Sequence, residues 1–124
     1  MVFSLDWLAR IRAWEIDRLA PLLPPGGAVL DVGAGTGQQS RLLAERGFRV
    51  TAIDLAASGY AAHREYPVQD YDGQRFPLAD ASVDCVFSSN VLEHVRDLAA
   101  LHREAAWVLR PGGHAVHVMP TAAW

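Results

Sequence analysis

Residues Ala28–Gln38 read AVLDVGAGTGQ. Four apolar positions, Ala28, Val29, Leu30 and Val32, surround one acid, Asp31, and glycine then recurs at every second position as Gly33, Gly35 and Gly37. The pattern predicts a buried strand, a tight turn and the first turn of a helix. Such a turn lets backbone approach a ligand where a side chain would intrude, and the helix N-terminus aims free N–H groups at it. Many ligands use glycine turns, so the flanking chain must say which one this is.

On the N-terminal side, Ser4 is placed to cap a helix running to about Leu19, with Asp6 in its first turn where the helix dipole favours an anion. Trp7, Leu8, Ile11 and Trp14 fall at helical spacing and predict its apolar stripe. The helix reads as a packing element; the functional alternative is a lid with a tryptophan as one wall of a pocket. Pro21, Pro24, Pro25, Gly26 and Gly27 stop it. Residues 1–27 are thus a helix and linker, and 28–124 the core of a single domain.

On the C-terminal side, Gln38–Arg46 predicts a helix closed by Gly47, and Phe48–Ile53 a second strand ending at Asp54. A helix weakened by Gly59 is expected over Ala56–Glu65, then a short strand at Val68–Gln69 and a polar loop over Asp70–Ala81. Val83–Ser88 reads as a fourth strand. Asn90 is the expected cap of the next helix, whose period runs through Leu98, Leu101, Ala105 and Val108 until Pro111, Gly112 and Gly113 end it. His114–Met119 makes a fifth strand. Near-continuous apolar strands alternating with helices argue for an α/β fold, a parallel sheet covered on both faces. Ligands of such sheets bind beyond the C-terminal strand ends, where strand order reverses.

Composition narrows the partners. The chain has 124 residues, a net charge of −3, and eleven arginines spread along its length with no lysine, so no nucleic-acid footprint is evident. The single cysteine, Cys85, lies in an apolar run and reads as a buried thiol. Asp6, Arg10, Arg12, Glu15, Asp17 and Arg18 interrupt the N-terminal apolar residues too often for a signal peptide or membrane span, and a cytoplasmic location is the simplest expectation.

Asp31, Asp54, Asp72 and Asn90 all fall at predicted strand ends or just past them. Asp54, about twenty residues after the glycine turn, is placed to accept hydrogen bonds from both hydroxyls of a ribose. A dinucleotide pyrophosphate would want G-x-G-x-x-G, whereas Gly33, Gly35 and Gly37 are spaced G-x-G-x-G, and Asp31 would repel it. An acid there suits a nucleoside bearing an ammonium or sulfonium charge.

The segments LDVGAGTG, AID, DGQRFPLADASVDCVFSSNVLEH and EAAWVLRPGG resemble, in order and spacing, the motifs of class I S-adenosylmethionine-dependent methyltransferases of the small-molecule branch. The resemblance spans about residues 28–119. It implies a three-layer Rossmann-like sandwich with a mostly parallel sheet, of which this chain holds five of the family's seven strands. It also implies site roles. Asp31, Gly33, Ala34 and Gly35 would contact the methionine part of the cofactor, Asp54 the ribose and Leu55 the adenine. Asp72 with Gly73 would meet the adenine amino edge, counting back from Phe76-Pro77-Leu78, although Asp70 competes for that place. Ser89 and Asn90 would wall the methyl sulfonium.

Methyl transfer from sulfonium is mostly a matter of positioning, with a general base needed only where the acceptor loses a proton. His94, expected on the first helical turn after the fourth strand, is the candidate base; the alternative is a surface or packing histidine. Glu93 is a weaker candidate. His114 and His117, three apart on a strand, point to opposite faces and cannot share a metal ion. Val91 after Asn90 departs from the pattern of enzymes resembling methylators of nucleic-acid bases. Three function classes follow: a small-molecule methyltransferase, a cofactor-binding module without activity, and an NAD-dependent oxidoreductase, which the glycine spacing and Asp31 disfavour. The fifth strand would be an open edge, so pairing into a homodimer is expected there.

Overall fold

The computed structural model describes residues 4–121 of the chain, so the outermost ends of the two ranges expected above, 1–3 and 122–124, lie outside the described residues. Five strands, β1 (Ala28–Val32), β2 (Arg49–Leu55), β3 (Val68–Tyr71), β4 (Val83–Ser89) and β5 (Leu109–Val118), form one sheet in the order β3-β2-β1-β4-β5. Every pairing is parallel. The chain adds strands outward from β1 to β3, then returns past β1 to begin again at β4, so the order reverses between β1 and β4.

Helices cover both faces. On one, α1 (Leu5–Leu19) and α2 (Gln38–Glu45) bury Ile16, Leu19 and Leu43 against Val29, Cys85 and Phe87. On the other, α3 (Leu98–Val108) buries Ala105 and Val108 against Leu30, Val32, Ile53 and Val86. Alternate residues of β1 serve the two cores, which is why its apolar run is nearly unbroken. The embedded acid of β4 also has a task. Asp84 accepts from the backbone N–H of Ala28 (2.8 Å) and from Arg110 Nη1 (3.1 and 3.2 Å), joining the beginnings of β1, β4 and β5. These bonds hold its carboxyl below the usual carboxylate range, the Ala28 N–H most of all.

Four expectations are corrected. No α-helix forms over Ala56–Glu65, where the only helical turn is a 3-10 turn at Ala61–His63. Glycine there weakens a helix, and the backbone finds a partner elsewhere, Glu65 N–H donating to Thr36 O at 2.7 Å. Asn90 does not cap α3. It sits in the left-handed region at φ 57°, and the cap is Asp97, whose Oδ1 accepts from Ala100 N–H at 2.9 Å. Pro111, Gly112 and Gly113 do not end α3, which stops at Val108. They form a bulge inside β5, because Val83 pairs with Leu109 whereas Cys85 pairs with His114. Finally, α1 buries Ile16 and Leu19, while Trp14 is 59% exposed with the Arg18 guanidinium over its ring, so Trp14 lies outside the buried stripe.

Leu30 is fully buried between β1 and α3. Leu30→Ala is expected to lower unfolding stability by about 2–5 kcal/mol, read from urea denaturation at constant m-value.

Candidate functional site at the strand-order reversal

Val32, the last residue of β1, is held between Ile53 of β2 and Ser88 of β4. The chain therefore leaves the sheet in a narrow slot. Gly33 (φ 74°) turns there, and a methyl group at its position would lie 2.5 Å from Val91 Cγ2. The N–H groups of Gly33 and Ala34 both donate to Ile53 O, at 2.8 and 3.0 Å. Gly35 N–H donates to Asp54 Oδ2 at 3.0 Å, while Asp54 Oδ1 accepts from Leu55 N–H at 2.8 Å. Gly37 (φ 81°) then starts α2. The glycine turn and the end of β2 are thus one hydrogen-bonded unit.

Asp31 lies beneath this unit, 2% exposed, and accepts from Ser40 Oγ of α2 at 2.7 Å. Burial pushes its carboxyl up to about 7, the Ser40 bond opposing and the nearby Asp54 charge adding to the rise. A carboxylate so placed is stabilised by any cation brought beside it. Across the turn, Leu55 is 46% exposed, and its Cδ2 would lie 3.0 Å from a methyl group at Gly73. Leu55 and Gly73 thus form an open apolar shelf. Asp72 follows β3 and accepts from the N–H groups of Gln74 (2.8 Å) and Arg75 (2.9 Å), which hold its carboxyl below its ordinary value. Asp70, its competitor, is inside β3.

At the end of β4, Ser89 Oγ donates to Glu15 Oε2 of α1 at 3.1 Å. Arg12 pairs with Glu15 at 2.8 Å. The Asn90 carboxamide, its oxygen turned toward Arg12 as the surrounding donors require, accepts from Nη1 (2.9 Å) and Nη2 (3.0 Å). Gln39 Nε2 donates to Glu15 Oε2 and to Arg12 O, each at 3.2 Å, and Gln38 Nε2 to Ala9 O at 3.0 Å. Helix α1 therefore bridges the start of α2 and the end of β4. The exposed His94 occupies a 3-10 turn, Leu92–His94, rather than the first turn of α3.

The structure thus brings together Gly33, Ala34, Gly35 and Asp54, with Asp31 below them, sets Leu55 beside Gly73, and joins Ser89 and Asn90 to α1. Sequence reasoning missed Arg12, Glu15, Gln39 and Ser40. The signal for the first two was the ionic interruption of α1 at i, i+3 spacing, which was read only as evidence against a membrane span.

Asp31 makes folding pH-sensitive. With its folded value raised above the unfolded one, the folded chain holds a proton that the unfolded chain releases between about pH 4 and 7. The associated stability is present at the acid end and lost as pH rises through 7. Asp31→Asn, neutral at every pH, is expected to melt higher than the parent at pH 8, by on the order of 4 kcal/mol at most, with the gap closing toward pH 4. Thermal denaturation across that range is the measurement.

Residues 30–117 match the family model described as methyltransferase domain. A malonyl-[acyl-carrier protein] O-methyltransferase from Serratia marcescens is 43% identical over 93 residues, covering 72% of this chain and 36% of that protein. A dimethylglycine N-methyltransferase from Parasynechococcus marenigrum is 39% identical over 116 residues, covering 85% of this chain and 41% of that protein. This chain thus spans less than half of the length of these curated relatives. Among solved structures, an S-adenosylmethionine dependent methyltransferase from Mesorhizobium loti superposes with a TM-score of 0.65 at 31% identity, over 86% of this chain and 52% of that one. The fold, the motif order and the family match agree, and the chain belongs to the class I S-adenosylmethionine-dependent methyltransferases.

Proposed function

We propose that the site binds S-adenosylmethionine at the β1–β4 reversal and transfers its methyl group to a small-molecule acceptor. The observation that carries this reading is the unit formed by the glycine turn and Asp54 above the buried Asp31. The residues present fit the group. Asp54 uses two of the roughly four lone-pair positions of its carboxylate on backbone N–H groups, which leaves acceptors for the ribose hydroxyls. The shelf of Leu55 and Gly73 takes the adenine, with Asp72 at its amino edge. Asp31, Gly33, Ala34 and Gly35 hold the methionine part, and Ser89 and Asn90 wall the reacting end.

When bound, the cofactor supplies an electrophilic methyl group on a positively charged sulfur. The chain's own contribution is to fix that sulfur and exclude water from it, so that the acceptor approaches in line. His94 takes a proton where the acceptor atom must lose one. One relative is named an O-methyltransferase and another an N-methyltransferase, so the likeness speaks for the methyl donor and leaves the acceptor atom open.

Calorimetry with S-adenosylhomocysteine and with NAD tests the cofactor class, and a methyl-transfer assay over small acceptors tests turnover. Asp54→Ala is expected to weaken S-adenosylhomocysteine binding by about tenfold or more, since charge-assisted hydrogen bonds contribute about 1.5–3 kcal/mol; an unchanged Kd removes Asp54 from the site. Among the described residues β5 ends the sheet with one edge unpaired, and pairing of two copies there belongs to the same proposal. A single sedimenting species at monomer mass across a hundredfold dilution series, on the order of micromolar to a tenth of millimolar, would sink it.

A further inference from the structure

Two histidines that the proposed reaction does not use meet between β5 and α3. His117 stands opposite Ser88 of β4, and its Nδ1 is 2.5 Å from the fully buried Ser88 Oγ. That bond fixes the ring and leaves its other nitrogen, Nε2, pointing elsewhere. Among the described residues Nε2 is buried and finds no hydrogen-bond partner. A buried ring nitrogen without a partner forgoes an interaction that water would have supplied. His102 of α3 comes against the same ring, the two centroids 6.1 Å apart and the planes inclined at 65°. His102 is exposed to solvent, so its side chain has room to turn a nitrogen toward Nε2. Val116 and Val118, on either side of His117, pack into the core under α1 and α2, which leaves His117 to the α3 face.

We propose that His102 and His117 ligate one divalent late transition ion in tetragonal geometry, Cu²⁺ before the others, with solvent on the exposed side completing its shell. His117 is arranged as a metal ligand is: one ring nitrogen is anchored to a neighbouring group, which sets the orientation and the tautomer, and the other is left bare. The spacing decides the geometry. An ion about 2 Å from one nitrogen of each imidazole stands roughly 3 Å from each ring centre, so centres 6.1 Å apart place it nearly between the rings. A tetrahedral angle would draw the centres to roughly 5 Å instead. The wide angle suits the tetragonal N,O shells of Cu²⁺ and Ni²⁺, and Cu²⁺ heads the affinity order for such donors. His114 takes no part, because it pairs in register with Cys85, whose side chain lies in the core under α1 and α2. An ion held here ties α3 to the edge strand β5, and so binds the folded chain in preference to the unfolded one.

The test is calorimetry of the full chain with Cu²⁺ and with Ni²⁺, in a buffer that chelates neither, paired with electron paramagnetic resonance of the copper-loaded chain. One Cu²⁺ per chain is expected, with a Kd on the order of micromolar and a tetragonal signal split by two imidazole nitrogens; Ni²⁺ should bind at the same stoichiometry and more weakly. His102→Ala alters an exposed position, and circular dichroism checks that the variant is folded. It should raise the Kd for Cu²⁺ about tenfold or more and take one nitrogen out of the signal. Ser88→Ala keeps both ligands but frees the ring, and should weaken binding by about tenfold. His63→Ala and His114→Ala, at exposed histidines elsewhere, should shift the Kd less than about twofold. Absence of Cu²⁺ binding, a parent signal with a single nitrogen, full affinity in His102→Ala, or dependence on His63 or His114 instead would each overturn the site.

Discussion

The site depends on how little room exists where β1 ends. Val32 is flanked on both sides by hydrogen-bonded parallel strands, and the next residue meets Val91 at a separation that only a hydrogen side chain tolerates. A turn of this shape brings backbone, rather than side chains, to the strand-order reversal. The turn does not rest on its own propensity. Ile53 and Asp54 of β2 take the N–H groups of Gly33, Ala34 and Gly35, so pairing of β1 with β2 is what shapes the loop. Packing of the sheet and preorganisation of the site are therefore one and the same set of contacts.

Electrostatics follows from that packing. A carboxyl on the buried face of β1 cannot be solvated, and a single serine hydroxyl compensates only part of the loss. Ionised by itself, that carboxyl is an unfavourable charge; brought beside a cation, the same charge becomes an attraction strengthened by the low local dielectric. Asp84, at the opposite end of the sheet, is an acid of similar appearance in the sequence but is tied to Arg110 and a backbone N–H. It binds strands together, whereas Asp31 stores a cost that a ligand can relieve.

Much of this was legible in the residues alone, for local reasons. The apolar runs of β1 and β4 need no partner to be recognised as doubly buried strands, and the glycines at 33, 35 and 37 announce the turn by spacing. Asp54 was legible because its distance from the turn is a consequence of one helix and one strand of ordinary length. What escaped depended on distant partners. Whether Asn90 caps a helix or adopts a left-handed conformation is decided by Arg12 and by a bond from its own N–H to Val118 O. Segment 56–65 loses its helix to Thr36 and to the side chains that pack over the glycine turn. Arg12 and Glu15 read only as charges interrupting an apolar stretch because their partners lie up to 78 residues away.

That same separation bears on how the molecule assembles. Contacts distant in sequence pay their loop-closure entropy before they return any stabilisation, whereas β1, α2 and β2 close through short connections. The bond between Glu15 and Ser89 closes one of the longest loops in the chain, and it joins a helix that takes no part in the hydrogen-bonded ladder of the sheet. The bridge that α1 makes between α2 and β4 is accordingly among the contacts whose loop-closure cost is largest, so both the start of the chain and the end of β4 must be in place before it returns any stabilisation.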